Sequence, residues 1–180
     1  TLNTAIGQGH VLTTPLQLAT MTARLVNGGR AVKPILVRNV EDEGSKLRHW
    51  PSIGLNPDHL AIVMRGMNAV VNDARGTAAG SRIHEAGYSM GGKTGTAQVR
   101  AITAAQRAAG VKNEDLPWRQ RHHALFVGYA PVVNPRYVVS VVVEHGVGGS
   151  RAAAPLARDI LLATQKRDPQ KIHTVDEAIE

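Results

Sequence analysis

Gly91-Gly92-Lys93-Thr94-Gly95-Thr96-Ala97-Gln98-Val99 sets a cation and two hydroxyls among glycines in one short run. The stretch Lys93 to Arg100 reads as a strand, and strand side chains alternate, so Thr94 and Thr96 project from the same face. Gly95 removes the side chain between them and lets another backbone come close. Lys93 and Thr94 suit a carboxylate or other negative charge. A strand edge with such a gap can hold an extended peptide by main-chain hydrogen bonds. The plain structural alternative is a loop-to-strand transition loosened by Gly91-Gly92, and a bare Lys-Thr-Gly carries no more than that. Here the run leads into a hairpin and a final helix, and that setting gives the motif its weight.

Working outward, His123 to Ala130 and Arg136 to Glu144 read as two further strands, joined by Pro131 to Pro135 with Asn134-Pro135 as the turn signal. Tyr137 to Val143 is apolar on both faces, which predicts a central strand covered on both sides. Ala101 to Arg121 is a long, polar, basic insertion with helical character near its start, and such insertions are functional or mobile. After Gly146-Val147-Gly148-Gly149-Ser150 a last helix, from about Pro155, directs Leu156, Ile160 and Leu161 inward and ends at Asp168-Pro169. Residues 169–180 form a frayed tail. Upstream, Thr14-Pro15-Leu16-Gln17 has the cap, proline and glutamine of a helix start, and Leu16, Ala19, Ala23 and Val26 follow at helical spacing. Asn56-Pro57-Asp58 opens a second helix with Leu60, Val63, Met64, Met67 and Val71 on one stripe, closed by Asn72-Asp73. Between them lie an extended Ala31 to Val40 and a polar turn over Glu41 to Ser45. The fold class is α+β: an antiparallel sheet with helices packed on its faces.

A formal charge of +7 over 180 residues calls for an anionic partner. Its basic residues are scattered singly, and Phe126 is the only Phe, so no base-stacking platform for nucleic acid exists. A carboxylate-bearing substrate, an anionic membrane surface and a wall polymer stay open. The absence of cysteine leaves the redox compartment undecided, and no apolar run has the roughly 18 residues of a membrane span. Starting at Thr1 within what reads as folded sequence, the chain is expected to be a fragment. Of the eight histidines, His122-His123 are adjacent and on a strand point to opposite faces, so no metal site is expected and these read as surface or loop residues. Glu144-His145-Gly146 reads as a strand end beside the cleft, Tyr129 as packing, Arg136 as an exposed charge, and Trp118 as either a partner contact or a local anchor.

The Lys93-to-Val99 run resembles the third motif of the penicillin-binding proteins and serine β-lactamases, whose set is S-x-x-K, S-x-N and K-T-G. Lys-Thr-Gly-Thr-Ala-Gln-Val is most similar to the class B, elongation-type transpeptidases. Ile6-Gly7-Gln8-Gly9 with Thr14 to Leu18, the turn Gly76-Thr77-Ala78, and His123 to Pro131 resemble the same family, so the likeness spans roughly residues 3 to 165. It implies an incomplete transpeptidase domain over 1–168. The family roles fall on Lys93 and Thr96 as catalytic groups, and on Lys93, Thr94, Gly95 and Thr96 as the substrate-binding strand. Lys93 serves the electrostatics of a nucleophilic serine, the Thr94 and Thr96 hydroxyls meet the substrate carboxylate, and the Thr96 N–H serves the oxyanion. The implied chemistry needs no cofactor. Peptidoglycan stem peptides, β-lactams and elongation-complex proteins including a membrane glycosyltransferase are the implied partners, on the periplasmic side of the inner membrane. None of the six serines begins Ser-x-x-Lys or Ser-x-Asn, and Ser89 precedes Lys93 by four rather than three. The nucleophile is therefore expected upstream, and this polypeptide alone is expected not to acylate. A penicillin-recognising sensor or scaffold on the same fold is the alternative.

Overall fold

In a computed structural model the chain is described over residues 11–36 and 50–168. Helix α1, Pro15–Val26, begins as its sequence dictates. The Thr14 hydroxyl accepts from Gln17 N–H at 3.2 Å and the Gln17 side chain accepts from Thr14 N–H at 2.8 Å, a closed capping box with Pro15 in the first turn. Helix α2, Pro57–Asn72, is capped by Asn56, whose side chain accepts from Asp58 N–H at 2.8 Å. The extended reading of Ala31 to Val40 meets only one isolated bridge in this region, Arg30 with Ser52, and its later part lies outside the described residues. The polar turn over 41–45, the run 6–9 and the tail 169–180 lie outside them too.

Three antiparallel strands follow: β1, Gly91–Ala97; β2, His123–Ala130; β3, Tyr137–Val143, ordered β1-β2-β3. Two expectations need correction. The first strand starts at Gly91, which pairs with Tyr129, and stops at Ala97, opposite His123. Beyond it Val99 N–H donates to His122 Nδ1 at 3.3 Å, so the chain has left the ladder. Second, β2 rather than β3 is central, and β3 ends the sheet among the described residues. The apolar run in β3 reports its covered faces, not its lateral neighbours. Val139, Val141 and Val143 pack on the cluster of Phe126, Ala154 and Leu161, while Val138 packs on Val26, Met67 and Tyr129.

The insertion holds a short helix α3, Ala104–Ala108, capped by Thr103, and two single turns. A π-helical turn over Gly149–Ala153 runs into α4, Ala154–Arg167. The buried face of α4 is Ala154, Ala157, Leu161 and Gln165, whereas Leu156 and Ile160, predicted to point inward, are about half exposed. The small alanines win because they let the helix axis approach the sheet closely, and Ala154 and Ala157 are fully buried. Similarly, Leu16 on α1 and Val63 on α2 face outward, and the buried positions are Thr22 and Val26, and Leu60, Met67 and Val71. Thr22 tolerates burial because its hydroxyl donates to the Leu18 carbonyl at 2.8 Å. Asp168, in the left-handed conformation, terminates α4 and binds Arg136 at 2.6 Å and the Tyr137 hydroxyl at 2.7 Å. Arg136, expected as a plain exposed charge, is thus a tie between helix and hairpin, and the carboxylate raises its pKa further.

Candidate active site

Lys93, Thr94, Gly95 and Thr96 all lie on β1, a terminal strand of the described sheet. Alternate backbone groups of such a strand point away from its one partner, as peptide recognition on an edge requires. Thr94 pairs with Phe126 and Thr96 with Ala124, so the two threonines share the face of the larger core cluster. Lys93 pairs with Val127 and lies on the opposite face. There it borders a cleft of about 470 Å³ between α1 and α2, walled by Met21, Leu25, Val63, Met67 and Val70. The Lys93 ammonium donates to the Thr94 carbonyl at 2.7 Å. Its side chain is exposed, as is that of Thr96, and Thr94 is half-buried.

Two features behind the strand fix its position. Gly91 and Gly92 let Tyr129 and Phe126 pack flat against β1: a Cβ at 91 would meet the Tyr129 ring at 2.8 Å, and one at 92 the Phe126 ring at 2.4 Å. Burial raises the Tyr129 pKa, which keeps the phenol neutral. Gly149, in the turn ahead of α4, stands against the middle of the motif. A Cβ there would fall 2.2 Å from the Leu125 carbonyl oxygen and 2.7 Å from that of Gly95. No side chain fits, so the turn presses backbone to backbone on the strand that carries the site.

Sequence reasoning missed one neighbour. Thr77, read only as part of a turn, places its hydroxyl 3.2 Å from that of Thr94. The turn is tightly seated on the end of α2, where Ala78 N–H donates to the Val70 carbonyl at 2.9 Å. A Cβ at Gly76 would lie 2.3 Å from the same carbonyl oxygen. No local pattern signals a contact between residues 17 apart; the two threonine-bearing runs are each visible, but not their meeting.

The histidines need correction too. His122 precedes β2 and is buried at 9% exposure, its N–H donating to Asn113 Oδ1 at 3.1 Å. Burial, and secondarily the charge of His123, lower its pKa below 6.5. The His145 N–H donates to His123 Nδ1 at 2.9 Å, and Trp118 meets the His145 ring edge-on at 4.5 Å. These residues, with an ion pair between Arg151 and Glu114, seam the insertion to the loop after β3. Among the described residues no group of three His, Cys, Asp or Glu side chains is placed to hold a metal, and no helix is long and apolar enough to cross a membrane.

The penicillin binding protein transpeptidase domain matches residues 1–162. The peptidoglycan D,D-transpeptidase MrdA of Haemophilus influenzae is 39% identical over 170 residues, 89% of this chain and 25% of that protein. MrdA of Acinetobacter baumannii is 35% identical over 175 residues, 94% of this chain and 25% of that protein. Pseudomonas aeruginosa PBP2, solved in complex with WCK 5153, superposes with a TM-score of 0.67 at 37% identity over 91% of this chain and 31% of that one. Helicobacter pylori PBP2, solved with MreC, gives 0.71 at 29% identity over 92% of this chain and 27% of that one. The chain thus spans about a quarter of the length of the curated relatives it matches. It belongs to the penicillin-binding protein transpeptidase domain family.

Proposed function

We infer that this chain is the C-terminal part of a peptidoglycan D,D-transpeptidase domain of the elongation type, and that it supplies the carboxylate-binding and oxyanion side of a serine acyl-transfer site. The observation that carries this reading is the placement of Lys93, Thr94 and Thr96 on one terminal strand, with the two threonines sharing a face. In the reaction, a serine oxygen attacks the carbonyl between two D-Ala residues of a stem peptide, and the negative charge develops on the carbonyl oxygen. The Thr96 N–H donates to that oxygen. One such donor lowers the barrier by roughly 3 kcal/mol. The amide bond breaks, the terminal D-Ala leaves with the proton, and the resulting ester is attacked by the amine of a neighbouring stem peptide. The Thr94 and Thr96 hydroxyls hold the departing carboxylate, and a β-lactam carboxylate takes the same place.

The nucleophile comes from a preceding segment, since no serine here begins Ser-x-x-Lys. The relative solved with MreC supports an elongation assembly around the whole protein. A membrane glycosyltransferase partner and a periplasmic position at the inner membrane belong to the same proposal. The test compares the full-length parent with the isolated 180-residue chain, using a fluorescent penicillin. The parent labels covalently and the isolated chain does not. Labelling of the isolated chain at the parent's rate would sink the reading.

A further inference from the structure

We propose that Thr77 is a positioning residue for this site: its hydroxyl donates to Thr94 Oγ1 and so aims the Thr94 proton at the ligand carboxylate. The inference rests on the reading of β1 as the carboxylate-binding strand.

The two hydroxyl oxygens are 3.2 Å apart, and the distance alone lets either donate. A bound carboxylate removes that ambiguity. An ionised carboxylate only accepts, and a threonine has one proton to give. Thr94 must therefore spend its proton on the ligand, which leaves its oxygen as the acceptor for Thr77. The result is a directed chain, Thr77 O–H to Thr94 O–H to carboxylate, and each bond in such a chain polarises the next. Without Thr77 the Thr94 hydroxyl can rotate among acceptors, including the carbonyls around it.

The surroundings of Thr77 fit this task. Its turn cannot shift easily, because Ala78 is buried and bonded to the Val70 carbonyl at 2.9 Å. Gly76 also passes too close to α2 for any side chain. Gly76 N–H donates to the Asp73 carbonyl at 2.9 Å, and Arg75 N–H to Asp73 Oδ1 at 2.8 Å. The turn is thus held at several points while Thr77 itself stays exposed. Branching at Cβ narrows the Thr77 side chain to few rotamers. A rigid turn that presents an exposed hydroxyl to the motif's own hydroxyl is more than a packing contact needs.

The test is a double-mutant cycle in the full-length parent, with Thr77→Val, Thr94→Val and both together, and Thr77→Ser as the conservative control. Acylation is measured with a penicillin and with its methyl ester, which lacks the charge, beside thermal unfolding. Thr77→Val should slow acylation by the free acid roughly 3- to 10-fold and leave the ester little changed. Thr77→Ser should restore most of the rate. In the Thr94→Val background, Thr77→Val should add less than about a twofold loss, because the two act as one unit. If Thr94→Val is itself silent on the free acid, the carboxylate reading of β1 falls and this proposal with it. If Thr94→Val is impaired but Thr77→Val is silent, this proposal alone is overturned. The same holds if Thr77→Val lowers only the melting temperature, or if the two losses multiply.

Discussion

Valine and threonine have nearly the same shape, and both favour strands, so Thr96→Val isolates what the hydroxyl does. The side chain is exposed on β1 and no core depends on it. Loss of a hydrogen bond to a charged group costs roughly 1.5–3 kcal/mol, or about ten- to a hundredfold in acylation. The Thr96 N–H is retained, so the loss should fall on carboxylate-bearing ligands at an unchanged melting temperature. An acylation rate within about twofold of wild type would remove the hydroxyl from the site. At this scale the sequence was most informative where the chemistry is contiguous. Lys93, Thr94 and Thr96 are neighbours in the chain, and strand alternation alone sorts their faces. Thr77 was illegible because its role depends on how the turn after α2 lies against β1, and no local pattern encodes that distance. The role of Arg136 is hidden for the same reason, its partner Asp168 being 32 residues away.

Elements tell a similar story with different physics. Both long N-terminal helices begin where their caps and prolines place them, since capping is a matter of a few adjacent residues. The buried face of α4 was not legible, because hydrophobicity ranks Leu156 and Ile160 above Ala154 and Ala157 while close helix-on-sheet approach ranks them the other way. Gly149 belongs to this second kind of constraint. Gly149→Ala must displace the turn or the paired strands under it, given 2.2 Å to the Leu125 carbonyl oxygen on β2 and 2.7 Å to that of Gly95 on β1. Overpacking of this kind costs about 1–3 kcal/mol. We expect a lower melting temperature together with slower acylation in the full-length parent; a variant with wild-type values for both would mean the turn does not buttress the strand. The seam under the insertion carries a pH dependence. His122 has its pKa lowered by burial and by His123, so the unfolded chain binds the proton first. Stability is full above the unfolded value of 6.5 and is lost as pH falls from there towards the lower folded value. His122→Gln should therefore show a smaller drop in melting temperature than wild type between about pH 7.5 and 5.5. An identical drop in both proteins would contradict the assignment.

Among the described residues, three strands carry helices on both faces, and the ends of the sheet are occupied by β1 and β3. That β3 is terminal rather than central could not be read from its composition, because two covered faces look alike at any position in a sheet. The far end of the molecule is closed by the Asp168 tie to Arg136 and Tyr137. Asp168→Asn keeps the shape and removes the charge, so it should lower the melting temperature. Acylation should stay within about twofold of the parent, since the tie is remote from the motif; a larger loss of activity at constant stability would show the two ends to be coupled.

The same tie fixes where α4 ends relative to the sheet. Tyr137 pairs with Ala130 one step past the Gly91 end of β1, so Asp168 sits roughly 20 Å along the strand direction from Thr96, at about 3.3 Å per residue. A fluorophore or affinity handle attached at the exposed Val133 of the hairpin therefore sits beside the tie, at the opposite end of the strand direction from Thr96. This makes the hairpin the better place for a surface-immobilisation tag when ligand binding is to be watched in real time.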